Sequence, residues 1–268
     1  MTSARNALVQ LELRSSGPSC PSSQIALVTL ANPPLNLVTR DLLRDLEHVL
    51  HGIASSAART AVIGQGDARV FCAGSDMREF PEMAASPATS KILHENHVIR
   101  RLATLTIPTI AAIEGAALGG GLELALACDL RVASRSASLG LPEAAIGGLA
   151  SNGSQRLTKI VGPARAKHLL LTGEPISAAK AEQWGMITET VTDGSAQERA
   201  MEIAGTIALR APKSIRLSKQ LVDLAVDLPL DAGVAAGVAA QEEIFASEDL
   251  AEGAAAFAER RAPRFRGY

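Results

Sequence analysis

Hydrophobic and polar positions alternate along this chain with two periods, one near two residues and one near 3.6. Leu8 to Leu13 alternates apolar and polar side chains, inside a Ser- and Pro-rich stretch over 1–23 that is expected to fray. Ile25 to Leu30 is an apolar run of strand length, closed by Asn32-Pro33-Pro34. From Thr39 to Ile53, Leu42, Leu43, Leu46, Val49, Leu50 and Ile53 fall on one face of a helix. Thr60 to Ile63 reads as a short strand, ended by Gly64-Gln65-Gly66-Asp67. The loop Phe71-Cys72-Ala73-Gly74-Ser75-Asp76 is expected to lead into a helix. A Pro/Ser/Ala break follows over 81–90, and then a helix from about Lys91 to Leu105.

Thr109 to Ile113 is the next strand, and Gly119-Gly120-Gly121 runs straight into a helical stretch from Leu122 to Ala127. Leu130 to Ala133 and Ala137 to Leu139 are short strands, with Pro142-Glu143 in the loop beyond. Thr190-Val191 is the last strand. From Ser195 the pattern is helical, with helices near 195–210, 212–226, 231–246 and 248–260. The alternation of strands and helices with short links predicts a mixed α/β core over 1–194 and a C-terminal helical region over 195–268. No internal repeat or low-complexity tract interrupts it.

Composition narrows the function. Of 268 residues, 47% are apolar and 20% charged, an ordinary globular balance. The formal net charge of −2, with no basic stripe, argues against nucleic-acid binding. Cys20, Cys72 and Cys128 form no CxxC pair, so neither a zinc site nor a disulfide framework is expected. The most apolar stretch, Ile110 to Cys128, carries Glu114, Glu123 and four glycines, which excludes a membrane span. With no secretory pattern at the start, a reducing, cytoplasmic setting is expected.

The candidate chemistry sits at two Gly-containing loops, Ala73-Gly74-Ser75 and Gly119-Gly120-Gly121, each expected to open a helix. Free N–H groups there favour developing negative charge, and glycine allows close approach to the backbone. Converging donors would form an oxyanion hole; tight helix–strand packing is the alternative use of the glycine triplet. A phosphate loop is disfavoured, because neither stretch ends in GKS or GKT and positions 115, 117 and 120 read Gly, Ala, Gly.

Two carboxylates occupy apolar settings beside these loops. Glu123 lies two residues past the triplet in a helix of Leu and Ala, and Glu143 lies within Leu139-Gly140-Leu141-Pro142-Glu143-Ala144-Ala145-Ile146. A carboxylate so placed needs a cleft or a partner, and its pKa is expected to rise, which suits acid–base work. Helix N-terminal charge complementarity for Glu123 and a solvent-facing loop position for Glu143 are the alternatives. Asp129 is expected to pair with an arginine such as Arg131, and Asp76 to support a first helical turn. His94 and His97 are expected on a surface or packing face. No GxSxG elbow, Ser-His-Asp arrangement or metal-ligand spacing is present.

Taken together, these stretches resemble the crotonase (enoyl-CoA hydratase/isomerase) superfamily from about Ile25 to Arg266. The resemblance rests on Pro33-Pro34-Leu35-Asn36, on Phe71 to Asp76, on Pro108 to Leu124 with its Gly triplet, and on Gln155-Arg156-Leu157. Leu171-Thr172-Gly173, Ala181-Glu182-Gln183-Trp184-Gly185 and the ending Ala256 to Arg261 extend it. It implies an α/β spiral of ββα units with a C-terminal helical trimerisation region, assembled as a homotrimer or a hexamer (dimer of trimers). It implies an oxyanion hole from the backbone N–H groups of Ser75 and Gly120, and a water held by Glu123 and Glu143. By this likeness Glu123 helps activate the water, and Glu143 relays a proton to the α-carbon of a 2-enoyl-CoA. Coenzyme A, part of the substrate and not a separate cofactor, would be held near Pro34, Leu35 and Ala73 and by the late residues Phe257 and Arg260. No metal or redox cofactor is implied.

The chain departs from the hydratase pattern at Leu149-Ala150-Ser151-Asn152-Gly153-Ser154, which lacks the usual Pro-Gly-x-Gly-Gly and is one residue shorter. Asn152 there is either a polar contact in the acyl pocket or a turn residue. A hydratase reading is expected first. An isomerase, another crotonase reaction such as decarboxylation or thioester hydrolysis, and a non-catalytic acyl-CoA binder remain the alternatives.

Overall fold

The computed structural model describes residues 7–16, 23–66, 69–81 and 91–267. Its main sheet has the order β1 (Val9–Ser15), β2 (Gln24–Leu30), β3 (Ala58–Gln65), β4 (Thr109–Ile113), β6 (Leu130–Ser134), β9 (Glu189–Val191). Only β1 runs antiparallel to its neighbour; the other four pairings are parallel. A second sheet joins β5 (Ala116–Leu118), β7 (Ser138–Gly140) and β8 (Ile176–Ser177). The expectation that 1–23 frays fails over 9–15, where seven residues pair in register with β2. Residues 1–6 and 17–22, with Cys20, lie outside the described residues.

Side chains of a strand point alternately to the two faces of a sheet, and both faces are buried here. Ile25 and Leu27 of β2 join Val62, Ile110 and Val132 on one face. The intervening Ala26, Val28 and Leu30 join Ile63, Ala111, Ile113 and the leucines of α1 (Arg40–Ala54) on the other. Thr39 caps α1, its hydroxyl accepting from the Leu42 N–H at 3.1 Å.

The first face is covered by α7 (Ala196–Ala208), which presents Ala196, Ala200, Ala204 and Ala208, all fully buried at i, i+4 spacing. Alanine at each contact lets the helix lie close to the sheet. This layer crosses the expected boundary at 194/195, because α7 belongs to the core. What stands away from it begins at α8 (Pro212–Ala225) and continues through α9 (Leu230–Phe245) and α10 (Glu248–Ala258). Leu217 is the one buried residue of α8, and α9 has none.

Helices that the patterning did not predict fill the middle: α4 (Ser151–Val161), α5 (Pro163–Thr172) and α6 (Ala178–Gln183). Gly162, at φ 80°, separates the first two, and Pro163 opens α5 where its missing N–H costs nothing. The helix expected from Lys91 is α2 (Lys91–Ala103), and α3 (Gly120–Leu126) begins two residues earlier than expected. Of the break expected over 81–90, residues 82–90 lie outside the described residues. No described helix is long and apolar enough to cross a membrane.

Candidate active site

The two glycine loops meet. Gly119 sits at φ 51°, a region favouring glycine, and an added Cβ there would lie 3.7 Å from Gly74 Cα. The loop 71–76 is stitched in place from both sides. Phe71 donates its N–H to Glu114 O (2.8 Å), Leu118 donates to Cys72 O (3.0 Å), and Ala73 donates to Leu35 O (3.0 Å). Ser75 lies in an isolated parallel bridge with Val38. The Ser75 hydroxyl lies 3.3 Å from where a Gly120 Cβ would sit, and the N–H groups of Ser75 and Gly120 find no acceptor among the described residues.

One expectation about these donors is corrected. Ser75 does not itself open the helix: it bridges Val38, and a 3-10 turn over Met77–Glu79 follows before Phe80 and Pro81 turn helical. Asp76 does cap that turn, accepting from the Arg78 N–H at 3.0 Å and pairing with its guanidinium at 2.7 Å. Gly120, in contrast, is the first residue of α3, so its N–H carries the helix end's positive character. Of the two uses weighed for the triplet, close packing is met at Gly121. An added Cβ on Gly121 would fall 2.2 Å from Cys72 O, so Gly121 serves close packing, while Gly119 and Gly120 shape the donor pair.

Glu123 is 6% exposed in the first turn of α3, and its Oε1 accepts from the Gly153 N–H at 2.7 Å. Gly153 belongs to the segment where the sequence departs from the hydratase pattern. A Cβ there would lie 2.8 Å from Leu141 Cδ1 and 3.2 Å from Glu123 Cγ, so the close approach needs glycine. Burial pushes the Glu123 carboxyl up to about 7; the Gly153 N–H opposes this, while the charges of Glu95 and Glu143 add to it.

Glu143 enters from the 3-10 turn Pro142–Ile146, with Oε1 3.0 Å from the position a Gly119 Cβ would take. Its Oε2 is buried without a hydrogen-bond partner among the described residues, and burial raises its pKa. The two glutamates lie near enough for their charges to interact, with Glu143 against Gly119 and Glu123 in the first turn after Gly120. That geometry can polarise a carbonyl and move protons next to it.

A third carboxyl was not anticipated. Glu95 of α2 is 8% exposed, and its Oε2 lies 3.3 Å from the Ser75 hydroxyl. A Gly120 Cβ would fall 2.8 Å from its Oε1. The signal was present in the helical period, because Lys91, Glu95, Val98, Ile99 and Leu102 form the buried stripe of α2. His94 and His97 point elsewhere, to Glu47 of α1 at 3.0 and 3.3 Å, in keeping with the packing role expected of them.

The other expected residues divide. Pro34 and Leu35 lie beside Ala73 through the Ala73 N–H···O Leu35 bond. Phe257 and Arg260 stand apart at the end of α10, Phe257 89% exposed, with no hydrogen bond or ion pair joining either to that turn among the described residues. Asn152 is a bonded residue of α4, its amide donating to Asn96 Oδ1 of α2. The expected Asp129–Arg131 pair does not form. Asp129 takes the Thr109 N–H and hydroxyl and the Lys219 ammonium (2.7 Å), while Arg131 donates to the carbonyls of Met186, Ala125 and Cys128. Cys72 and Cys128 are free and buried.

This fold, with paired donors at the junction of two glycine loops, is that of the crotonase superfamily. The family model for enoyl-CoA hydratase/isomerase matches residues 21–268, and the chain belongs to that family. It is 36% identical over 234 residues to a probable mitochondrial enoyl-CoA hydratase 2 of Arabidopsis thaliana, covering 87% of this chain and 78% of that one. It is 36% identical over 242 residues to a short-chain-enoyl-CoA hydratase of Clostridium acetobutylicum, covering 89% and 92%. Among solved structures, an enoyl-CoA hydratase from Bacillus anthracis superposes with a TM-score of 0.89 at 32% identity, covering 96% of this chain and 99% of that one.

Proposed function

We propose that this protein hydrates 2-enoyl-CoA thioesters, with Ser75 and Gly120 as the oxyanion hole and Glu123 and Glu143 as the acid–base pair. One observation carries the reading: a buried carboxyl tied by the Gly153 N–H and a half-buried one with an unpartnered oxygen lie beside backbone donors that have no acceptor among the described residues. The thioester oxygen accepts hydrogen bonds from both N–H groups, which draws electron density from the double bond. Glu123 takes a proton from water as its oxygen bonds to the β-carbon. Charge gathers on the thioester oxygen, where fixed dipoles stabilise it without reorganisation. Glu143 then gives a proton to the α-carbon, and exchange with solvent returns both carboxyls to their starting states. Both pKa values are raised, which suits carboxyls that exchange protons with water and substrate, one beginning ionised and the other neutral.

Coenzyme A is assigned to the Pro34–Leu35 turn and Ala73, with Phe257 and Arg260 reaching it from a neighbouring subunit of a trimer. The exposed apolar side chains of α9 and α10 support that assembly. Crotonyl-CoA and a longer 2-enoyl-CoA test the reaction. Loss of the conjugated thioester absorbance with a 3-hydroxyacyl-CoA product is expected. A shifted double bond without water uptake would replace hydration by isomerisation.

A further inference from the structure

The mechanism above uses two carboxyls, yet a third, Glu95, borders both Ser75 and Gly120. Its Oε1 is 2.8 Å from where a Gly120 Cβ would sit, and its two oxygens lie 3.4 and 3.3 Å from the Ser75 hydroxyl. The groups that face it are Lys91 and Glu79, the carboxyls of Glu123 and Glu143, and the Cys72 thiol. Lys91, one turn earlier on α2, is the single cation of the set and is already committed. Its ammonium donates to Val38 O and pairs with Glu79 at 3.3 Å. No ion pair to Glu95 forms among the described residues.

A buried carboxyl whose one nearby cation is committed elsewhere, near three other carboxyls, is held in its neutral form. An ionised Glu95 would also oppose the negative charge that the adjacent donors are built to receive. A neutral one carries an O–H, and among the described residues the only side-chain hydrogen-bond partner within reach of Glu95 is the Ser75 hydroxyl, at 3.3 to 3.4 Å. Burial raises the Glu95 pKa and the charges of Glu143 and Glu79 add to it; the Lys91 charge and the Ser75 hydroxyl oppose it without reversing the direction, in agreement with this state.

We propose that Glu95 is a third oxyanion donor: as a neutral carboxylic acid beside Ser75 and Gly120, it hydrogen-bonds the thioester oxygen as that oxygen gains enolate charge. No proton is transferred; the O–H of Glu95 stays with Glu95 and shares its hydrogen with the substrate oxygen. The assignment rests on the oxyanion-hole reading above and adds a side-chain donor to its two backbone donors.

The test reads oxyanion stabilisation without turnover. Acetoacetyl-CoA forms an enolate that absorbs in the near ultraviolet, and butyryl-CoA serves as a ground-state probe that forms none at neutral pH. Glu95→Gln keeps a donor, and its enolate binding is expected within about threefold of wild type. Glu95→Leu removes the donor, and is expected to weaken enolate binding about tenfold or more while butyryl-CoA binding changes by less than about twofold. Equal enolate binding by Glu95→Leu and wild type would overturn the proposal. So would equal weakening for both probes, which marks a structural role, or a tenfold tightening in Glu95→Gln, which marks an ionised Glu95. A wild type that binds the enolate but leaves crotonyl-CoA unchanged defeats the hydration reading and leaves the third donor supported. A wild type that stabilises no enolate overturns both.

Discussion

The core around α2 and α3 and the arm of α9 and α10 break the usual rule of burial in opposite directions. In the core, Glu95 and Glu123 are 8% and 6% exposed. In the arm, Leu230 is 81% exposed, Phe245 70% and Phe257 89%. A buried carboxyl costs free energy unless something compensates, and an exposed apolar face costs free energy until something covers it. Other sheltered charges are compensated: Asp129 has a threonine and a lysine, and Arg131 has the carbonyls of Met186, Ala125 and Cys128. These two regions are the places assigned to a thioester and to a neighbouring subunit.

Each side of that contrast can be broken separately. The largest effect is expected in the core. Glu123→Gln or Glu143→Gln should lower kcat by a factor of about 100 or more, with affinity for a saturated acyl-CoA changed little, as for lost acid–base groups. In the arm, Val234→Glu with Val238→Glu places charge on an apolar face whose residues are each 57% exposed in the single chain. Sedimentation should then show a monomer of 27.8 kDa where the native protein gives a multiple of that mass.

A pH series sharpens the core side. With Glu123 pushed up to about 7 from an unfolded value of 4.5, the folded state holds more protons between those limits. Stability should therefore be fullest below pH 4.5 on this group's account, and fall as pH rises through 7, by on the order of 3 kcal/mol. Denaturant midpoints of Glu123→Gln should lack that fall. The rate moves the other way: ionised Glu123 accepts the water's proton, so kcat/KM should climb across pH 7. The smallest effect belongs to His94→Ala, a partly exposed partner of Glu47, expected within about 0.5 kcal/mol of wild type and about twofold in turnover.

The strands and long helices were legible because their period settles which face is buried, and Glu123 and Glu143 were legible because they interrupt apolar runs. Glu95 escaped because α2 carries many polar residues and the eye is drawn to His94 and His97; its place on the stripe with Val98 and Leu102 was the readable sign. Ser75 was assigned to a helix end from a glycine alone, whereas its conformation depends on Val38, far off in sequence. Asp129 and Arg131 are near in sequence but find their partners in α8 and in the carbonyls around Met186, which no spacing rule reveals. The segment 149–154 looked like a loss, yet its Gly153 supplies the N–H that holds Glu123.

The most direct measurement is crotonyl-CoA turnover in water labelled with oxygen-18 by wild type and by the double variant Glu123→Gln, Glu143→Gln, with acyl-CoA binding followed in both. The account predicts a labelled 3-hydroxybutyryl-CoA from wild type, and a double variant that binds the thioester but turns it over at least about 100-fold more slowly. A double variant with wild-type turnover, or a wild type that binds the thioester and incorporates no label, would contradict it.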